Sequence, residues 1–179
     1  MNREQLKKKL SMPLSKAEAV RLAMDKNCLA YDLIELSLHP LQELAFRSSW
    51  VLEQMFYFRT ESFSLDMEKF LDAYFQQKNY SCQRHFTKIM MTLTEETKRA
   101  KYAKIEENQN QIIETTFDWL INPDTPVAVQ VNCLDILLHF SAKQDWIAEE
   151  LRSHIQFLLK DGSAAVQSRG KRILKKLKC

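Results

Sequence analysis

Two segments of this chain, DTPVAVQVNCLDILLHF and DGSAAVQSRGKRILKKL, align without a gap, Asp124 standing opposite Asp161. Ala128-Val129-Gln130 faces Ala165-Val166-Gln167, Ile136-Leu137 faces Ile173-Leu174, and a small residue separates them in both, Cys133 and Gly170. Self-similarity at such an interval constrains the fold more than any composition does. Each copy is one supersecondary unit that cannot bury its apolar face alone, so neighbouring copies must stack.

Two earlier segments fit the same frame. HPLQELAFRSSWVL places Leu44, Ser48 and Leu52 at the anchor positions, and QKNYSCQRHFTKIM places Cys82, Phe86 and Met90 there. Anchors four apart lie on one helix face, an inward stripe. Each such helix follows another amphipathic stretch that ends in a break, at His39-Pro40, Lys78-Asn79, Asn122-Pro123 and Asp161-Gly162. The unit is therefore helix, tight turn, helix, repeated about four times. With only two Gly and four Pro, the chain lacks the turn residues of a β-sandwich or barrel and the glycine cluster of a phosphate-binding loop. The expected class is all-α: a right-handed α-α superhelix of about four helix pairs.

The pattern of Asp, then Val-Gln, a small residue and Leu resembles the second helix of a HEAT repeat, where Asp-Pro, Val-Arg, Ala and Leu are usual. The likeness covers roughly residues 27 to 179 and is best in the last two repeats. Gln83, Gln130 and Gln167 stand where those repeats often carry Arg. The resemblance implies a ladder of side chains linking repeats, in which Gln would bridge by hydrogen bonds in place of Asp–Arg pairs. HEAT-like modules also form the bacterial DNA-alkylation-repair glycosylases, a likeness of fold alone.

A single domain over 1–179 is expected, with two regions outside the repeat. Residues 1–26 read as an N-terminal cap, its helix opened by a Ser15/Glu18 capping box. Residues 94–107 form a polar insert, either a helical extension or a loop. The basic run at the start lacks an apolar segment behind it, and no stretch is long and apolar enough to span a bilayer. Cys28, Cys82, Cys133 and Cys179 lie far apart with no metal-type spacing, which points to free thiols in a reducing compartment, the cytoplasm.

Candidate binding residues come from the repeat register. Arg47, His85, Asn132 and Arg169 occupy equivalent positions on the second helices, so in a superhelix they would line the concave face. They are expected either to meet a partner there or to hydrogen-bond between repeats. Arg84, Lys171, Arg172, Lys175 and Lys176 form a candidate basic patch, and Lys178 adds to the same basic tail. A net charge of +3 gives nucleic acid little electrostatic pull, and the tail reads as the solvated outer face of the last repeat.

Trp50, Trp119 and Trp146, with Asp118 or Asp135, match the residue types a base-flipping enzyme needs, but core packing between helices accounts for the tryptophans and is the reading preferred. His39, His85, His139 and His154 show no metal-ligand spacing, and SMPLSK shares only three residues with the signature loop of the fumarase superfamily. No catalytic, cofactor or metal site emerges. The expected function is a non-enzymatic scaffold that binds a protein partner on its concave face. Nucleic-acid binding through the basic patch is the alternative.

Overall fold

Asn2 and Ser15 open the first two helices, each by a reciprocal cap. Asn2 Oδ1 accepts from Gln5 N at 2.9 Å while Gln5 Oε1 accepts from Asn2 N; Ser15 and Glu18 do the same. Such a box satisfies two amides that a helix start otherwise leaves without partners. The computed structural model describes residues 1–99 and 101–177. Among the described residues there is no strand, and the fold is all-α. The chain divides into two compact units, Met1–Ile89 and Met90–Cys179.

In the first unit, α1 (Arg3–Leu10) and α2 (Lys16–Met24) pack on α4 (Gln42–Phe58), so the expected cap is itself a helix pair. The first repeat pairs α3 (Ala30–Ser37) with α4 across the His39-Pro40 break. Leu44, Ser48 and Leu52 are all buried, as their spacing requires. The hydroxyl of Ser48 is tolerated there because it donates to its own helix, to Leu44 O at 2.8 Å.

A short helix not anticipated from the repeat, α5 (Thr60–Ser64), follows α4 because Phe63 is pulled into the core. Phe63 packs edge-on against Phe56 and Phe70, with centroids 5.1 and 5.0 Å away. The second repeat, α6 (Met67–Gln76) and α7 (Tyr80–Thr94), is held by stacked Phe70 and Phe86 at 5.0 Å.

Gln83 sits where such repeats often carry a ladder arginine, and it turns into its own repeat. Its Nε2 donates to Gln77 O, at the end of α6, at 3.0 Å. Gln167 does the same to Gly162 O at 3.0 Å. These glutamines close the turn inside a repeat; links between repeats are made by other residues.

The second unit starts at Met90, in the last part of α7, and the insert follows. Residues 94–107 hold two short helices, α8 (Glu96–Arg99) and α9 (Ala103–Glu107), apart from Ala100, which lies outside the described residues. The insert is less polar than its composition suggests: Ile105 is fully buried, and Glu106 pairs with Lys143 at 3.3 Å. Then come α10 (Gln109–Ile121) with α11 (Val127–Ser141), and α12 (Asp145–Asp161) with α13 (Ala164–Lys176). Val129, Cys133, Leu137, Val166 and Ile173 are buried, whereas Leu174 is only half so.

Cys28, Cys82 and Cys133 are free, buried thiols, and burial pushes them up, to about 12 for Cys28 and about 11 for Cys82. Cys28 lies in the turn before α3 rather than within a helix. Cys179 lies outside the described residues. Among the described residues no helix is long and apolar enough to cross a membrane.

The small residue of the repeat has a steric cause. A Cβ on Gly170 would stand 2.8 Å from Ile155 Cγ2, and Ile155 is itself buried in the facing helix α12. Gly170→Val therefore forces α13 off α12, and we expect a loss of about 2 kcal/mol. Urea denaturation checks this; an unchanged midpoint would show that α12 and α13 do not approach so closely.

Candidate functional site

The four register-equivalent residues meet different fates. In the first unit, Arg47 Nη1 donates to Leu10 O and Ser11 O at 3.2 and 3.3 Å, and its Nη2 pairs with Glu43 at 2.7 Å. It thus covers the carbonyl end of α1, where a cation complements the helix dipole. His85, on α7, hydrogen-bonds through Nδ1 to Glu53 on α4. In the second unit, Asn132 is half-buried on α11, and Arg169 on α13 pairs with Asp135 of α11.

Glu53 and Asp135 are the residues that sequence reasoning missed in this role. Each is a carboxylate buried on the second helix of one repeat, 4% and 7% exposed. Each is met by two groups at i and i+3 on the second helix of the next. Glu53 takes His85 and, at 2.9 Å, Lys88 Nζ; Asp135 takes Arg169 and, at 3.5 Å, Arg172 Nη2. His85/Lys88 and Arg169/Arg172 stand in one register of the repeat.

Burial pushes the Glu53 carboxyl up, but the His85 and Lys88 hydrogen bonds outweigh it and hold it below the ordinary 4.5. The signal is present in the sequence: Glu53 and Asp135 interrupt apolar runs, and a buried carboxylate demands a cation. Asp135 is thereby engaged structurally, while Asp118, the other candidate carboxylate for base chemistry, is exposed.

Above the Glu53 cluster opens a cleft of about 500 Å³ between α4 and α7, with Lys16 of α2 on its rim. Phe46, Trp50 and Tyr57 line the α4 side; Arg84, His85 and Lys88 line the α7 side. Phe46 and Trp50 stack with centroids 6.2 Å apart, and the His85 ring lies 5.3 Å from Phe46. These aromatics follow helical spacing on a face two residues off the core anchors, so they form a second stripe that packing only half covers. Sequence reasoning places Trp50 in the core; it is half-buried at this cleft. Trp119 is the buried one, and Trp146 is 53% exposed, stacked on Phe117.

The expected basic patch divides. Arg84 lies on the cleft in the first unit, while Lys171, Arg172, Lys175 and Lys176 are exposed on α13 in the second. Arg172 reaches Asp135, and the end of α13 is itself covered by Arg152, whose Nη2 donates to Leu177 O at 2.8 Å. Lys178 lies outside the described residues.

A model of the HEAT repeat domain family matches residues 2–177 of the chain. No curated protein and no solved structure matches it.

The Glu53 cluster has a definite acid signature. A carboxyl held below its unfolded value stabilises the fold at neutral pH, and that contribution is lost as pH falls below 4.5 through the native value. Glu53→Gln should cost about 2 kcal/mol at neutral pH, and the gap between variant and wild type should close as pH falls. Urea midpoints at neutral and acid pH report this; a gap independent of pH would contradict the ion cluster.

Proposed function

We propose that this chain, which belongs to the HEAT repeat domain family, is a non-enzymatic interaction module that holds a protein partner in the α4–α7 cleft. HEAT repeats generally serve as scaffolds for protein interaction. The observation that carries the reading is the half-covered aromatic stripe. Phe46, Trp50 and Tyr57 keep accessible surface at helical spacing on a face that the repeat core does not use. Interaction surfaces concentrate their energy in such aromatic anchors ringed by polar groups. Arg47 and Arg169, expected on the same binding face, act in this reading as braces, and His85 joins the cleft wall.

The family match spans both units, and we take residues 1–179 as one domain. A cytoplasmic setting fits three buried, unpaired thiols. Nucleic-acid binding is the weaker reading. It draws on the exposed Lys171, Lys176 and Arg172, but Asp135 offsets part of the charge that Arg169 and Arg172 bring.

Affinity capture with paired baits tests the choice. Proteins retained by wild type and by Lys171→Glu, but lost with Trp50→Glu, would support the cleft. Retention indifferent to Trp50→Glu, or of nucleic acid lost with Lys171→Glu, would contradict it.

A further inference from the structure

Among the described residues, three cleft groups meet no hydrogen-bond or ion-pair partner: the Trp50 indole N–H, the Arg84 guanidinium and the Lys16 ammonium. All three donate and none accepts, and two carry positive charge. The remaining lysine of the cleft, Lys88, is neutralised by Glu53 beneath it. A complement to this set must therefore supply acceptors and negative charge. The floor asks for something different, because Phe46 and Trp50 offer stacked ring faces that an aromatic or aliphatic side chain can cover. From Phe46 to Tyr57 the stripe runs about 16 Å along α4, the reach of about five extended residues.

We infer that the cleft binds a short, extended acidic segment of a partner protein, with one aromatic or aliphatic side chain laid on Phe46 and Trp50. This rests on the reading of the chain as an interaction module. Carboxylates of the segment reach Arg84 at the α7 wall and Lys16 at the rim, and a backbone carbonyl accepts from the Trp50 indole. A single-stranded nucleic acid would share the stacking but not the charge balance. Sites for it line a continuous cationic groove along the strand, whereas this cleft has two unpaired cations and a carboxylate in its wall.

The test is fluorescence anisotropy on the full chain with labelled probes. One peptide carries about seven residues of Glu and Asp around a central Phe; a second replaces the acids with Lys; a third replaces the Phe with Gly; the fourth probe is an oligo-dT of similar length. The acidic aromatic peptide should bind about tenfold tighter than any of the other three. Arg84→Gln combined with Lys16→Gln, both at exposed positions, should weaken it about tenfold. Trp50→Ala should do likewise while Trp50→Phe retains binding, which separates lost stacking from misfolding; equal urea midpoints confirm that the variants fold.

Preference for the lysine peptide or the oligo-dT overturns the inference, as does binding that ignores Arg84, Lys16 and Trp50. If the acidic peptide fails while Trp50-dependent capture of a protein persists, the acidic chemistry is wrong and the interaction reading stands. If both fail, the reading falls with it.

Discussion

A carboxylate buried on one helix and met by two basic groups on the next is the interaction that the packing in each unit depends on. Apolar burial drives the stacking of helix pairs, but it is non-directional, and a helix can slide one turn along its neighbour with little change in buried area. Glu53 and Asp135 remove that freedom. Sliding α7 along α4, or α13 along α11, would strand a buried charge, which costs far more than the apolar contacts exchanged. The repeat thus places hydrophobic anchors for stability and ionic knots for register on adjacent faces of the same helices.

Arginines serve the helix ends in the same spirit. Arg47 covers the carbonyls that close α1, and Arg152 covers the end of α13. Arg59, at the end of α4, gathers the carbonyls of Ala23, Asp25 and Cys28 at 2.7 to 3.3 Å. A guanidinium can satisfy several carbonyls with one planar fork, which suits the short loops between helices. This usage withdraws Arg47, Arg59 and Arg152 from any ligand. In the cleft, Arg84 and Lys16 are not used in this way.

The repeat frame is legible in the sequence because each anchor answers to a single rule, burial at one-turn spacing. Leu44, Phe86, Val129 and Val166 need nothing else. The Gln register is legible in position and not in partner: Gln83 and Gln167 look alike in sequence, yet only the turn geometry shows that each reaches back to its own repeat. Helix α5 and the buried Ile105 escape because a few apolar residues in a short polar stretch give no helical periodicity to read. The candidate site is half visible. Arg84 and His85 stand out by register and charge, but their partnership with Trp50 and Glu53 spans more than thirty residues of sequence, and only packing decides which faces of α4 and α7 meet.

If the buried ion clusters act as coupled units, a double-mutant cycle measures that coupling directly. Asp135→Ala, Arg169→Ala and the double variant would be compared with wild type by urea denaturation. A coupling energy above about 1 kcal/mol is expected, with either single change costing nearly as much as both together. Additive losses agreeing within about 0.5 kcal/mol would contradict it, and would mean that apolar packing alone sets how these helices stack.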